Sequence, residues 1–364
     1  MPEPISAEAR VVLDLLALSK NVLVSGPPAT GKTRLLSQVA EAFVGEAWGT
    51  DGAATLDLTS NVPIRGAAKA QVFRTVFHQN SKYRDFLTGI APAVGPGKGG
   101  EFQIIEGTLY RAAEFAKQPG ARALLIVDEI NRGPAVQVFG GSLVAIEADK
   151  RLLPDGSAGK MTQFIEIMQP PDGQIVEYAL PDQLFILAVQ NQADTSVEPI
   201  DVAFLRRFEP FRLNPREREL RAFLGLRASA AALPEAPATS ADIYEASVQA
   251  WVAVNERLRL SRGPDFQVGH GVLMASKPQV DMADAIADVG RAWARVQAHA
   301  GEVFFGDARS MAAIFNAREE SAGQHPIRLV SKVFDDEPRF VLQALDSWRQ
   351  EELYEGLRAI ARAD

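Results

Sequence analysis

The 364-residue chain contains no cysteine, which excludes disulfides and thiolate metal sites. Its four histidines are scattered, which argues against a zinc centre. No run of about 18 or more apolar residues exists, so no membrane span is expected. The first residues, MPEPISAEAR, have neither a basic n-region nor an apolar h-region, so they are no signal peptide and the expected location is cytoplasmic. Positive charge is in deficit. The 38 Lys and Arg against 46 Asp and Glu leave a net charge of −8, which argues against a broadly basic nucleic-acid grip but permits a local basic lining. Apolar residues at 47% and charged residues at 23% are ordinary for a soluble globular chain long enough for two or three domains.

Against these absences stands the segment Asn21 to Thr33, NVLVSGPPATGKT. The apolar run Val22-Leu23-Val24 ends in a Gly/Pro-rich turn and reaches Gly31-Lys32-Thr33. That is the G-x-x-x-x-G-K-[ST] phosphate loop in its strand–loop–helix setting. Its candidate ligand-binding residues are Gly26, Pro27, Pro28, Ala29, Thr30, Gly31, Lys32 and Thr33. Gly26 and Gly31 let the backbone curl so that successive N–H groups face one anion. The helix that begins near Gly31 adds the positive end of its dipole. Lys32 reaches the β- and γ-phosphates, and the Thr33 hydroxyl is placed for Mg²⁺. A nucleoside triphosphate is the expected ligand.

The remaining pattern predicts an α/β fold with a parallel sheet over residues 1–213, followed by a mainly α-helical lobe over 214–364. Helices are expected over Ser6 to Ser19, Thr33 to Ala47, Thr108 to Gln118, Gln137 to Asp149 and Pro199 to Arg207. Strands are expected at Val72 to Phe77, Ala123 to Val127, Leu184 to Val189 and Phe208 to Leu213. Met161 to Tyr178 reads as a β-hairpin turning at Pro170-Pro171-Asp172-Gly173. Asp51 to Ala70 reads as irregular, with Pro63 and Gly66 as breakers. Gly89 to Gly100 reads as a flexible loop, and Arg227 to Ala241 as a linker or mobile loop.

Three further elements carry chemistry. The apolar run Leu124 to Val127 ends in Asp128-Glu129, which sets Asp128 beside the Mg²⁺ shell and lets Glu129 polarise the attacking water. The strand ending at Gln190-Asn191 presents an amide to the γ-phosphate or the lytic water; an Asn capping its own turn is the alternative. Asp201 to Phe208, DVAFLRRF, carries Arg206 and Arg207. Such a pair is usually a solvated face, but in a ring-forming NTPase it would lie at the subunit boundary and face the neighbour's γ-phosphate.

At this point a resemblance becomes specific. Asp128-Glu129-Ile130-Asn131-Arg132-Gly133, then Phe139-Gly140 and Ile146-Glu147-Ala148-Asp149-Lys150-Arg151, resembles the McrB family of AAA+ NTPases. Phe77-His78-Gln79-Asn80 with Tyr83, Asp85-Phe86, Gly89-Ile90 and Pro92 is similar to an upstream segment of that family. Asn191 to Ser196, DVAFLRRF and Phe266 to His270 are similar to its downstream motifs, in the same order. The resemblance implies an AAA+ core with a helical lid. It assigns phosphate and Mg²⁺ to Lys32 and Thr33, metal and water to Asp128 and Glu129, and a γ-phosphate sensor to Asn191. Arg132, Arg206 and Arg207 become candidates for trans-acting or sensing cations. A salt bridge ordering the post-strand loop is the alternative for Arg132, and His270 reads as a satisfied lid residue.

The resemblance further implies a homo-oligomeric ring, a hexamer, acting as the motor subunit of a McrBC-like restriction or anti-phage system. A McrC-like nuclease or another operon-encoded subunit would be the partner, and DNA would be engaged through that partner or the ring pore. The chain departs from the family signature at Gln190, Gln192 and Thr195, so the GTP preference of restriction members does not carry over, and ATP is favoured over GTP. The chain begins about twenty residues before its first strand, from which the family's N-terminal DNA-reading domain is expected to be missing. A MoxR-like chaperone ATPase is the alternative, favoured by the shared DEINR strand end but opposed by DVAFLRRF, the FHQN segment and the lid motif. A binding-only switch is opposed by the intact Lys32, Thr33, Asp128 and Glu129, and a small GTPase by the lack of an N-K-x-D motif.

Overall fold

The computed structural model describes residues 5–45, 69–93, 100–191, 200–319, 327–343 and 350–362. The irregular segment expected within 51–70 lies outside them up to residue 68, as do Gln192, Thr195 and residues 94–99. The chain divides into two compact units. The first takes in most of the chain up to Arg212. The second holds Gly26–Gly31 and everything from Leu213 onward.

In the first unit, α1 (Ala7–Ser19) starts where the Ser6 hydroxyl accepts a hydrogen bond from the Ala9 N–H at 3.2 Å. It buries Ala9, Val12, Leu13 and Leu16, one face at helical spacing. Next come β1 (Asn21–Ser25), α2 (Lys32–Val44), β2 (Lys69–Val76) and α3 (Tyr83–Phe86). A ribbon of β3 (Thr88–Pro92) and β4 (Phe102–Glu106) leads to α4 (Thr108–Ala116) and β5 (Ala121–Asp128). Short helices α5 (Ala135–Phe139) and α6 (Ser142–Ala145) precede a second ribbon, β6 (Ile165–Gln169) and β7 (Gln174–Tyr178). The unit closes with β8 (Leu184–Val189), α7 (Val202–Leu205) and β9 (Glu209–Arg212).

The five-stranded sheet runs β2-β5-β8-β1-β9, and every pair in it is parallel. Strands β8 and β5 read as unbroken apolar runs because both of their faces are covered. Edge strand β2 is instead half exposed. Parallel pairing gathers the carboxyl ends of β1, β5 and β8 on one edge, where ligands bind in open α/β sheets.

Two expectations are corrected here. Gly89 to Gly100 is not simply a loop, because Thr88–Pro92 pairs antiparallel with Phe102–Glu106. Gln137 to Asp149 is not one helix: Gly140 turns left-handed at φ 50° and splits it into α5, α6 and a short 3₁₀ turn.

The second unit is helical, as expected. It comprises α8 (Glu217–Phe223), α9 (Ser240–Ser261), α10 (Met282–Val303), α11 (Ala308–Ile314) and α12 (Gln350–Ala361). Helix α9 begins with a capping box between Thr239 and Asp242. Its Trp251 and the Trp293 of α10 are buried with their indole N–H groups satisfied by the Val268 carbonyl and the Ser247 hydroxyl. A three-stranded sheet of β10 (Arg318–Glu319), β11 (Arg328–Phe334) and β12 (Glu337–Gln343) was not foreseen in this region. The expected linker at Arg227 to Ala241 is also corrected. The Glu245 carboxylate accepts from the Ala231 N–H, Gln249 donates to the Ala231 carbonyl, and Tyr354 donates to the Pro234 carbonyl.

Candidate functional site

At the carboxyl edge of the sheet, Lys32 opens α2 and extends its ammonium to within 3.2 Å of the Asn191 Oδ1, just past β8. The Asn191 backbone is held in turn by Asn131, whose amide donates to the Asn191 carbonyl at 2.9 Å and accepts from its N–H at 3.4 Å. Asn131 is 8% exposed and forms a two-point clamp of the kind a neighbouring strand would supply. Sequence reasoning gave Asn131 no role; only its place two residues after Glu129 hinted at one. Asp128 ends β5, and its Oδ1 accepts the Glu129 N–H at 2.9 Å. Glu129 occupies the left-handed region at φ 50° and ψ 44°, a conformation that costs a β-carbon residue about 1–2 kcal/mol. Such strain turns a side chain out of line with its strand, which is why it recurs at reactive positions. Arg132 Nε lies 3.1 Å from Glu129 Oε2 in a half-exposed pair, so the two are held together on the edge.

Within the second unit the phosphate-loop residues meet the lid motif. Gly26 has φ 146°, and a β-carbon there would fall 2.3 Å from the Leu213 carbonyl oxygen, so no other residue fits. The buried Thr30 hydroxyl donates to the Pro27 carbonyl at 2.8 Å and closes the loop on itself. Gly269 and Gly271 donate their N–H groups to the Pro28 and Ala29 carbonyls at 3.0 and 2.9 Å. A β-carbon on Gly269 would strike Ala29 at 2.2 Å, so this backbone bridge requires glycine. His270 between them is buried; its Nδ1 accepts from the Arg216 N–H at 3.3 Å, and its Nε2 lies 3.5 Å from Glu219. Burial and the Arg216 cation push its pKa down to about 4, so the ring is neutral at pH 7 and serves packing.

The two remaining candidates lie elsewhere. Arg206 and Arg207 precede β9 at the amino-terminal edge of the sheet, opposite Lys32 and Asp128. The Arg207 side chain is 7% exposed, its Nε lies 3.0 Å from Glu147, it donates to the Ala203 carbonyl, and the Arg207 carbonyl accepts from Asn21. Arg206 is exposed. Among the described residues no group of three or more His, Asp or Glu is placed to hold a metal ion. A hydrated divalent ion such as Mg²⁺ needs only one or two protein oxygens and fills its shell with water and phosphate. The Asp128 carboxylate and the exposed Thr33 hydroxyl fit that demand.

A parallel sheet whose carboxyl edge joins the end of a phosphate loop to a strand-end Asp-Glu pair and a strand-end Asn defines a P-loop nucleoside triphosphatase. The family described as AAA domain (dynein-related subfamily) matches residues 21–208, just over half of the chain, and the chain belongs to that family of AAA+ proteins. Over 205 residues it is 28% identical to the type IV methyl-directed restriction enzyme EcoKMcrB subunit of Escherichia coli (strain K12), covering 56% of this chain and 37% of that protein. Over 207 residues it is 25% identical to the type II restriction enzyme BsuMI component YdiS of Bacillus subtilis (strain 168), covering 53% of this chain and 57% of that one. The chain thus spans between about a third and three fifths of these relatives. Both come from restriction systems, which bears out the McrB-like resemblance. Among solved structures, PCH-2 of C. elegans aligns over 80% of this chain and 67% of its own at 13% identity, with a TM-score of 0.34. No helix among the described residues is long and apolar enough to cross a membrane.

Proposed function

We propose that this chain is a Mg²⁺-dependent nucleoside triphosphatase that hydrolyses ATP, or GTP, as the ring-forming motor subunit of a McrBC-like restriction or anti-phage system. Residues 1–213 act as the hydrolytic domain and 214–364 as its lid. The observation that carries the reading is the Lys32–Asn191–Asn131 chain beside Asp128 and Glu129 at one sheet edge. Residues Gly26 to Gly31 offer backbone N–H groups to the phosphates, and Lys32 adds a cation. Asp128 and Thr33 would hold Mg²⁺, which when bound neutralises phosphate charge. Glu129 orients and polarises the attacking water, and Asn191, fixed by Asn131, positions that water or the γ-phosphate. Arg132 holds Glu129 in place and is a candidate sensing cation.

The same sheet supports a ring. Arg206 and Arg207 stand at the edge opposite their own Lys32, which favours a role for either cation at a neighbouring copy's γ-phosphate. Exposure singles out Arg206 for that task, with Arg207 as its anchor. A hexamer is the assembly in view. A McrC-like nuclease or other operon-encoded subunit is its partner, and hydrolysis drives DNA translocation or activates that nuclease. Location is cytoplasmic. Purified protein with Mg²⁺ should turn over ATP or GTP, more so with its operon neighbour, and Glu129→Gln should bind nucleotide without turnover. Turnover retained in that variant would exclude Glu129, and absence of any hydrolysis with the neighbour present would exclude the motor.

A further inference from the structure

Beyond the nucleotide chemistry, the α/β unit carries two ribbons, β3–β4 and β6–β7, with a groove of about 460 Å³ between β3 and β6. On β6–β7, Ile165, Ile167 and Tyr178 are buried, and alternation turns Glu166, Met168, Ile175 and Glu177 to the other face. Glu166 stands directly across from Glu177, and Met168 from Ile175. Like charges directly opposite destabilise a ribbon, so this pair lacks a reason within the hairpin itself. Apolar surface continues along the groove, with Ile90 at 45% and Ile175 at 69% exposed. At its floor Thr88 is 4% exposed, and its hydroxyl has no hydrogen-bond partner among the described residues. Arg84, the one cation lining the groove among the described residues, has its Nε 3.5 Å from Asp85 and donates to the Ile90 carbonyl. Residues 161–178 contain Glu166, Asp172 and Glu177 but no lysine or arginine.

We propose that this groove docks an extended polypeptide segment of a protein partner that alternates basic and β-branched apolar side chains. Its basic groups relieve the Glu166–Glu177 repulsion, and its apolar groups cover Ile90, Met168 and Ile175. Nucleic acid is a poor occupant, because its phosphates would meet Glu166 and Glu177, and the described cation of the groove, Arg84, already pairs with Asp85. The assignment is independent of the hydrolytic reading, since neither ribbon holds a residue of the nucleotide site.

The test titrates the full chain, without nucleotide, into a fluorescein-labelled decapeptide of alternating lysine and valine, followed by anisotropy. Saturable binding is expected. It should weaken by about tenfold or more, or 1.4 kcal/mol, in Glu166→Lys/Glu177→Lys and in Ile175→Ser. The charge-matched control Glu302→Lys/Glu352→Lys, at exposed sites in the second unit, should bind as the wild type does. Thermal midpoints screen each variant for folding, and Ile175→Ser decides if the lysine pair fails to fold. Absence of saturable binding, equal loss in the control, or displacement of the peptide by short duplex DNA overturns the proposal. Hydrolysis measured on the same variants stays at the wild-type level, which separates failure here from failure of the motor reading.

Discussion

The two edges of the five-stranded sheet carry the same kinds of side chain and use them in opposite ways. At the carboxyl edge, Glu129 sits in a strained backbone conformation, its partner Arg132 is half exposed, and Thr33 faces solvent. At the amino edge, polar groups are sunk and tied. Arg151 is fully buried, donating to the Ile146 and Leu184 carbonyls and to the Asn21 Oδ1, while Lys20 pairs with Asp182 at 3.1 Å and Arg207 with Glu147. Burial draws the Arg151 pKa down to about 10, which still leaves it charged at pH 7. One edge keeps its charges available and tolerates strain; the other, exposed Arg206 apart, satisfies its charges and holds the strands together. The arginine, glutamate and asparagine that a motif records belong to either role, and only the partners distinguish them.

Breaking the carboxyl edge should therefore remove activity and spare stability. Glu129→Gln is expected to lower turnover by about 10²–10⁴-fold, the usual range for a lost general base, with the nucleotide-free thermal midpoint unchanged. A midpoint that falls in step with turnover would show that Glu129 is structural. At the amino edge the sign reverses. Arg151→Met strands buried carbonyls and should cost on the order of 3 kcal/mol, read as a lower urea midpoint, while the fraction that stays folded hydrolyses normally. Arg206→Ala and Arg207→Ala split the same way within one dipeptide. The first should lose turnover at wild-type stability, and the second should lose stability; equal behaviour would erase the distinction between the edges.

Asn131 sharpens the comparison because it works through another residue. Asn131→Ala should lower kcat by about 10–100-fold through a displaced Asn191, with KM for the nucleotide little changed. Partial rescue by Asn131→Ser, which keeps one hydrogen-bonding group, would not follow from a packing defect alone.

Much of this was legible in sequence, for reasons that differ by element. The phosphate loop, Asp128 and Glu129 were readable because their chemistry demands fixed residue types at fixed spacing. Strands β5 and β8 were readable because burial on both faces leaves an unbroken apolar run. The family-like phenylalanines were readable as motifs but not as structure. Phe77, Phe86, Phe139, Phe204 and Phe208, drawn from separate motifs, pack into one mostly edge-to-face aromatic row with successive ring centroids at 5.4, 4.6, 5.1 and 5.2 Å. These motifs thus record packing as much as catalysis. The pairing of β11 with β12 stayed hidden because its turn is Asp335-Asp336, both at positive φ, and its second strand carries Pro338. Asn131 stayed hidden because a two-point clamp on a backbone sixty residues away leaves no local pattern.

The smallest expected effect concerns His270, and it compares the second unit with the sheet edges. Two influences act on its ring. Burial and Arg216 favour the neutral form, while the Glu219 carboxylate, 3.5 Å from Nε2, favours the charged one. Glu219 has 43% of its side chain exposed, so solvent screens its pull, and burial prevails. The pKa is thus about 4 when folded against 6.5 for an unperturbed histidine. Between those values the unfolded chain binds a proton that the folded chain refuses, so stability is full above pH 6.5 and declines as pH falls toward 4. Because Gly269 and Gly271 on either side bond to Pro28 and Ala29, protonation of the folded ring, which sets in only as pH approaches about 4, should loosen the phosphate loop and weaken nucleotide binding there. His270→Asn keeps an acceptor for the Arg216 N–H but cannot take up the proton. Its thermal midpoint should fall less than that of the wild type between pH 6.5 and 4.5, and parallel curves would mean that the proton goes elsewhere.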